Sequence, residues 1–179
     1  LVDRPLQLLC VATLTPRKGH ALLLRALASL RGRAWHLHCI GSLERDPDEA
    51  QRLRALCTEL GLSAQVTFHG EVGEAELQDA MRRADLFVLT SWYEGYGMAV
   101  AEALAFGLPV VTTTVGAAAQ LLGHDAPQGA ESGIAGLVVP AGDLAALTQA
   151  LERALHDDDL RAKLAAGARR RANTLPTWP

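Results

Sequence analysis

The sequence predicts an α/β fold, a Rossmann-like doubly wound parallel sheet of about six strands. Six short apolar runs are separated by segments whose apolar residues recur with a helical period. Several runs are apolar at successive positions, which is typical of strands covered on both faces. Because a repeated strand–helix–strand order requires right-handed crossovers between parallel strands, a single wrapped sheet follows. The 179 residues suffice for one such domain.

The predicted strands lie at six places along the chain. They are 6–14, 34–41, 65–70, 86–90, 109–115 and 136–140. Residues 47–60 carry an apolar helical stripe, and Gly61 follows as a helix stop. The polar, glycine-rich stretch 123–136 predicts a surface loop. Since ligands of such folds bind beyond the carboxyl ends of the strands, the loops that follow the strands are the candidate site.

Aspartates mark the starts of the last two predicted helices. Asp143 is the predicted N-cap of one helix. The apolar stripe of that helix is Leu144, Leu147, Leu151 and Leu155. Asp157 or Asp158 is predicted to cap the next helix, so the run "HDDDL" (156–160) indicates capping on a solvated face rather than a metal-binding motif.

The composition excludes several classes of protein. The net charge is only -3 and like charges do not form blocks, so neither a nucleic-acid arm nor a polybasic membrane segment is predicted. The three cysteines, Cys10, Cys39 and Cys57, are widely spaced, which is typical of thiols in a reducing cytosol. No apolar run reaches the ~18 residues that a bilayer requires. We therefore expect a cytoplasmic protein, or one held at a membrane surface by another domain.

The loop after the fourth predicted strand contains the glycine turn "EGYG" (94–97). Gly95 and Gly97 resemble the start of a dinucleotide-binding fingerprint, but Val100 stands where a third glycine or alanine is needed. The following strand ends in "TTTVG" (112–116), without an acidic residue for a ribose. These two differences argue against a nicotinamide or flavin site.

Glu102 is the only permanently charged residue between Glu94 and Asp125. Its neighbours are apolar all round the predicted helix, which indicates a buried helix, and a buried carboxylate needs a partner. That partner is either a structural backbone or arginine group, or a polar ligand in a cleft. A carboxylate suits two adjacent hydroxyls, such as those of a ribose or a hexose. Glu94 offers the same chemistry on the other side of the turn.

Backbone amides and basic side chains predict an anion site beside these carboxylates. The amides of residues 97–99 begin a helix without carbonyl partners, and such helix N-termini bind phosphate. Arg17 and Lys18 stand near the N-terminus of another predicted helix, where the dipole disfavours cations. A bound diphosphate accounts for this placement, and so do two side chains that point into water. The combination fits a sugar joined to a nucleotide through a diphosphate.

Five blocks of the sequence resemble one enzyme family in order and spacing. The run "EGYGMAVAEALAFGLPVV" (94–111) resembles the E-x7-E segment of the retaining GT-B-fold glycosyltransferases of family 4, the group 1 glycosyl transferases. The other blocks are "PRKGHALLLRAL", "VTFHGEV", "ADLFVLTSWYEG" and "GLVVPAGD". The resemblance covers essentially the whole chain, but only the C-terminal, donor-binding half of such enzymes.

The resemblance implies a role for each matching residue. Glu94 matches the glutamate that contacts the donor sugar, and Lys18 matches the lysine that neutralises the phosphates; these two are the catalytic candidates. Glu102 matches the glutamate that holds the ribose. The other donor-binding candidates are Arg17, the turn residues Gly95, Tyr96, Gly97 and Met98, and Gly70 and Val72 in the loop that clasps the base.

Two positions depart from the family pattern. Thr13 stands five residues before Lys18, where the family usually has an arginine, so Arg17 is the candidate to replace that charge. Gln120 stands where the family often has the glutamate of a Gly-Gly-x-Pro-Glu turn, and it brings no negative charge.

The resemblance also implies what the chain does and what it lacks. We expect residues 1–179 to be a donor-binding domain that is inactive without an N-terminal acceptor domain. The expected reaction transfers a sugar, with retention, from a nucleotide-diphosphate donor, without a metal ion or a cofactor. The alternatives are a nucleotide-sugar epimerase-like domain and a non-catalytic nucleotide-binding module. A phosphorylase is disfavoured because neither lysine of the chain, Lys18 or Lys163, lies in a predicted pyridoxal phosphate pocket.

Four other residues have less specific interpretations. His36 and His38 alternate on a predicted strand and therefore share one face, but without a third ligand they indicate core or cleft residues rather than a zinc site. Trp92 and Tyr93 precede the glycine turn, where they either line the cleft or anchor the loop.

Overall fold

The structure, a computed structural model, describes residues 4–125 and 133–175. Its strands are β1 (Leu6–Val11), β2 (Trp35–Ile40), β3 (Val66–Gly70), β4 (Leu86–Leu89), β5 (Val110–Thr113) and β6 (Gly136–Val139). Its helices are α1 (His20–Ala28), α2 (Pro47–Glu59), α3 (Glu74–Arg83), α4 (Met98–Ala105), α5 (Ala118–Leu121), α6 (Leu144–His156) and α7 (Asp158–Ala172). Half of the predicted loop 123–136, residues 126–132, lies outside the described residues.

The six strands form one parallel sheet in the order β3-β2-β1-β4-β5-β6. The chain therefore builds outward from β1 to β3, crosses back to β4 beside β1, and then builds outward in the other direction. Right-handed crossovers in opposite directions place their helices on opposite faces. Accordingly α1 packs with α2 and α6, and α4 packs with α5 and α7, while the consecutive helices α6 and α7 also contact each other. The predicted doubly wound α/β fold is confirmed, and its strand order reverses between β1 and β4.

The predicted strands are all present, and each is slightly shorter than its apolar run. The strands β4 and β5 are buried along their whole length, as expected for strands covered on both faces. Beyond β1, the amides of Ala12 and Leu14 still donate to the carbonyls of Ile40 and Ser42 at 2.9 and 3.1 Å. The part of the first apolar run that extends beyond β1 thus forms the first residues of the loop after that strand.

The predicted helix caps are confirmed. Asp143 accepts a hydrogen bond from the Ala146 amide at 2.9 Å, and Asp157, rather than Asp158, caps α7 by accepting from the Leu160 amide at 2.8 Å. The prediction that Leu144 belongs to the buried apolar stripe of α6 is wrong, because this residue is 41% exposed. As the first residue of the helix, it precedes the turn that packs on the sheet, where Leu147, Leu151 and Leu155 are buried.

The outer face of β1–β3 carries a cluster of histidines. His36 and His38 share one face, as predicted, and their rings lie 4.6 Å apart. His38 is 2.9 Å from both His69 Nε2 and Gln7 Oε1, while His36 Nε2 is 2.8 Å from the Thr67 hydroxyl. Burial, reinforced by the neighbouring imidazoles, lowers the pKa of both His36 and His38. This cluster therefore favours neutral histidines in the folded chain.

A glycine inside α7 gives the first testable prediction. Replacing a helix-interior glycine with alanine normally gains about 1 kcal/mol. At Gly167, however, the new Cβ would lie 2.0 Å from the Ile134 carbonyl oxygen, on the backbone that precedes β6. We expect Gly167→Ala to lower the free energy of unfolding by about 1–3 kcal/mol, because the helix must move away from that backbone. Urea denaturation measures the change.

A matched substitution calibrates the result. Ala162→Gly, at an exposed position of the same helix, is expected to cost about 1 kcal/mol through helix propensity alone. If Gly167→Ala instead raises the free energy of unfolding, the close packing of α7 on Ile134 is wrong.

The histidine cluster predicts how stability depends on pH. Unfolded histidines titrate near a pKa of about 6.5, whereas His36 and His38 have lower pKa values in the fold. Between these values the unfolded chain binds more protons, so stability is fully present above the unfolded pKa and falls as the pH drops below it. Urea midpoints at a series of pH values measure this loss. The double variant His36→Gln/His38→Gln should flatten the decline, and an unchanged slope would contradict the assignment.

Candidate active site

A cavity of about 680 Å³ opens at the carboxyl edge of the sheet, beside the point where the strand order reverses. Its walls come from the loops after β1, β2, β3 and β4 and from the start of α4. The lining residues are Val11, Ala12, Thr13, Arg17, Lys18, Ile40, Gly41, Ser42, Glu71, Val72, Leu77 and the segment 94–99. Eight of the ten residues predicted for the site therefore meet in one cavity, while Gly70 and Glu102 are not in its walls.

The loop after β1 is fastened to the end of β4. Pro16–Lys18 form a 3-10 turn, and Gly19, with φ of 73°, leads from it into α1. A Cβ at Gly19 would lie 1.9 Å from the Thr90 carbonyl oxygen, so only glycine fits. The Thr90 hydroxyl donates to the Gly19 carbonyl at 2.9 Å, and the Trp92 amide donates to the Arg17 carbonyl at 2.7 Å. These contacts set the two cations beside the glycine turn.

Lys18 and Glu94 form an ion pair across the cavity. The Lys18 ammonium contacts Glu94 Oε1, and each side chain is 15% exposed. Ser91, which is fully buried, donates its hydroxyl to the same Oε1 at 2.8 Å, and its own carbonyl accepts from the Thr113 hydroxyl at 2.7 Å. In the structure, therefore, a carboxylate of the chain itself offsets the cation that we predicted near a helix N-terminus.

The glycine turn presents the start of α4 to the cavity. Gly97 has φ of 85° and precedes the helix, and none of the described side chains caps the first amides. Those amides are available to an anion, as the sequence predicted. Gly95 does not have a positive φ, and a Cβ on it would meet open space. Gly116 packs closely behind Gly95, since a Cβ on Gly116 would lie 2.0 Å from the Gly95 carbonyl oxygen. The loop after β5 thus supports the turn from behind.

Glu102 differs from the prediction, because it is exposed rather than buried. The core-facing sides of α4 are formed by Val100, Ala101, Ala103 and Leu104, and Glu102 occupies the remaining side, one turn beyond Met98. Partial desolvation and the nearby Glu74 raise the pKa of its carboxyl. Within the described residues its carboxylate has no hydrogen bond or ion pair, so the structural-partner interpretation is wrong and both oxygens remain available as acceptors.

Trp92 anchors the loop instead of lining the cavity. Its ring covers Gly142, where a Cβ would lie 2.2 Å from the indole. The ring is nevertheless 54% exposed, and the neighbouring Tyr93 is 68% exposed. Neither side chain is part of the cavity wall. Of the two interpretations of Trp92, the anchoring one is confirmed.

Sequence reasoning missed the hydroxyl groups that hold the site together. Four hydroxyl residues at the ends of β4 and β5 are buried: Thr90, Ser91, Thr112 and Thr113. The three threonine hydroxyls donate to backbone carbonyls of another loop or strand, and the Ser91 hydroxyl donates to Glu94. The sequence did contain a signal for these contacts, because hydroxyl residues stand at the carboxyl ends of two apolar strands. A hydroxyl buried there needs a hydrogen-bond partner. The partners themselves were not visible in the sequence.

Metal binding and membrane insertion have no support among residues 4–125 and 133–175. In that part of the chain, histidine, cysteine, aspartate and glutamate form no group of three that could hold a metal ion. Nor does any helix there combine the length and hydrophobicity required to cross a membrane.

Comparisons with curated proteins match this domain to glycosyltransferases. D-inositol 3-phosphate glycosyltransferase from Corynebacterium jeikeium is 35% identical over 156 residues, which cover 84% of this chain and 35% of that protein. Phosphatidyl-myo-inositol mannosyltransferase from Mycobacterium leprae is 34% identical over 160 residues, covering 86% of this chain and 38% of that protein. The chain thus spans well under half the length of these relatives.

Solved structures of similar proteins have the same fold. Sucrose-phosphate synthase from Thermosynechococcus elongatus has a TM-score of 0.82 at 30% identity, over 98% of this chain and 42% of its own. Anabaena HepE in complex with UDP-glucose has a TM-score of 0.83 at 26% identity, over 96% of this chain and 44% of its own.

The family model described as glycosyl transferases group 1 matches residues 1–171, which is nearly the whole chain. The match includes both loops of the ion pair and all of α4. With the fold, the relatives and the family model in agreement, the chain belongs to the group 1 glycosyl transferases.

Proposed function

We propose that this chain is the donor-binding, C-terminal domain of a retaining glycosyltransferase, and that it binds a nucleotide-diphosphate sugar in the cavity at the carboxyl edge of the sheet. The observation that carries the proposal is the meeting of Arg17, Lys18, Glu94 and the uncapped start of α4 around one cavity of about 680 Å³. Cavities of roughly 300–1,000 Å³ are typical of small-molecule sites.

The diphosphate is assigned to the cations and amides of the cavity. Lys18, Arg17 and the uncapped first residues of α4 all line it. Because Thr13 supplies no charge, Arg17 takes the place of the missing family arginine. Positive charge and fixed amides at a departing diphosphate stabilise the transition state without a metal ion or a cofactor.

The sugar and the ribose are assigned to the two glutamates. Glu94 faces the cavity beside the glycine turn of Gly95, Tyr96, Gly97 and Met98, where it reaches the donor sugar. Glu102 is exposed one helical turn beyond Met98, which lines the cavity, and its two free acceptor oxygens suit the vicinal hydroxyls of the ribose.

The base is assigned to the loop after β3. Val72 lines the cavity with Ile40 and Leu77, which gives an apolar wall for a planar ring. Gly70 lies just behind this wall and accepts from the Gly41 amide at 3.0 Å, so its role is to position the loop. The HepE complex with UDP-glucose makes a uridine nucleotide the first donor to test, and the mannosyltransferase among the relatives makes mannose a second sugar to test.

The remaining parts of the proposal concern the surroundings of the domain. The acceptor, in this proposal, binds to a separate N-terminal domain of a longer chain, since the curated relatives extend well beyond the matched region. We place the protein in the cytoplasm because its three cysteines are free and buried. A non-catalytic nucleotide-binding module would use the same cavity, and activity measured in the longer protein separates the two.

Titration with nucleotide sugars tests the proposal. We expect isothermal calorimetry to show saturable binding of one of UDP-glucose, GDP-mannose and ADP-glucose, and no binding of NAD. Glu102→Ala should weaken that binding by about 10- to 100-fold, since hydrogen bonds to a charged acceptor contribute about 1.5–3 kcal/mol.

The control is Glu152→Ala, which removes an exposed carboxylate from α6, away from the cavity. It should bind the donor as the unsubstituted chain does. Equal binding by Glu102→Ala and Glu152→Ala would remove Glu102 from the site, and failure of every nucleotide sugar to bind would overturn the proposed donor site in this chain.

A further inference from the structure

We propose that Glu94 acts as an internal counter-ion that makes the site select the intact nucleotide sugar over the free nucleoside diphosphate. This inference rests on the proposed function and concerns the same cavity. In the structure Lys18, the cation assigned to the diphosphate, is already paired with Glu94, the carboxylate assigned to the sugar. Glu94 therefore competes with the diphosphate for Lys18, and Lys18 competes with the sugar for Glu94.

The pair cannot open by separation of the loops. The backbone beside Lys18 is bonded to the backbone beside Glu94 through the Trp92 amide and the Arg17 carbonyl at 2.7 Å. The Thr90 hydroxyl adds a second link to the Gly19 carbonyl at 2.9 Å. Lys18 therefore exchanges Glu94 for a phosphate by rotation of its side chain, while the ends of both loops stay in place.

Glu94 stays in position when Lys18 turns away. The Ser91 hydroxyl donates to Glu94 Oε1 at 2.8 Å, and Ser91 is itself fully buried and fixed by Thr113. A carboxylate left there without its lysine stands beside the incoming diphosphate and repels it. The free nucleoside diphosphate offers Glu94 no compensating donor.

The donor sugar removes that penalty. Its hydroxyls donate to Glu94, so the carboxylate loses one partner and gains another. The ion pair thus weakens the binding of the leaving nucleotide more than the binding of the substrate. After transfer of the sugar, Glu94 regains Lys18 and favours departure of the nucleoside diphosphate.

The test compares each nucleotide with and without its sugar. Calorimetric titrations use UDP and UDP-glucose, GDP and GDP-mannose, and ADP and ADP-glucose, on the 179-residue chain and on Glu94→Gln. Glutamine keeps the shape but not the charge. We expect Glu94→Gln to bind the nucleoside diphosphate about fivefold more tightly, because a partly exposed ion pair of about 1 kcal/mol no longer competes. The preference for the nucleotide sugar should shrink at the same time.

A matched carboxylate controls for net charge. Glu44 is exposed and outside the cavity wall, two residues after Ser42, so Glu44→Gln removes an equal charge without removing the partner of Lys18. It should change the affinity for the nucleoside diphosphate by less than about twofold. If Glu44→Gln tightens binding as much as Glu94→Gln, general electrostatics explains the effect and the inference is overturned.

The outcomes separate this inference from the proposed function. Unchanged or weaker binding of the nucleoside diphosphate by Glu94→Gln, with normal binding by the unsubstituted chain, overturns the counter-ion role and leaves the donor site intact. Absence of nucleotide binding in both proteins overturns both claims. Binding that appears only in Glu94→Gln supports the counter-ion role. Circular dichroism verifies folding, and Glu94→Asp, which cannot reach Lys18 in the same way, gives the same comparison if Glu94→Gln does not fold.

Discussion

The contact between the loop after β1 and the end of β4 is the constraint on which the rest of the site depends. The strand order reverses there, so Gly19 and Thr90, which are 71 residues apart in sequence, lie side by side. Gly19 permits the approach, because any side chain would collide with the Thr90 carbonyl. The Thr90 hydroxyl is buried and must be bonded, and its partner is the Gly19 carbonyl. The position of Lys18 relative to Glu94 follows from this one junction.

The charges of the cavity wall are balanced when no donor is present. Arg17 and Lys18 contribute two positive charges, and Glu71 and Glu94 contribute two negative charges. Under the proposed function, a diphosphate meets a wall without net charge and binds well only where local geometry exposes the cations and the α4 amides. Glu102 stays outside this balance, because it is not part of the cavity wall and interacts with Glu74 rather than with a cation. In the proposed donor site, recognition of phosphate thus depends on whether Glu94 stays paired with Lys18.

Local signals in the sequence predicted the framework and stopped short of the site's internal contacts. Asp143 was predicted correctly, and Asp157 was one of two predicted candidates, because a cap interacts with an amide three residues away. The burial of Glu102 was wrong, because apolar neighbours show that a helix is covered but not which side of it is left open. The Lys18–Glu94 pair joins residues 76 positions apart, and the sequence named both without linking them. Pairing across a sheet is decided by strand order, which local periodicity does not encode.

Volume alone does not identify the site in this fold. A second cavity, of about 620 Å³, lies between the histidine cluster of β1–β3 and α3, with Glu76, Asp79 and Arg82 in its walls. It is almost as large as the cavity at the carboxyl edge, but it lies against the face of the sheet and its walls include no uncapped helix start. At the carboxyl-edge cavity, two loops are joined at the strand reversal, and Gly19 and Gly116 allow backbone segments to approach closely. The amides at the start of α4 line this cavity. In the proposed site, the direction of the backbone therefore places the ligand, and the side chains then select it.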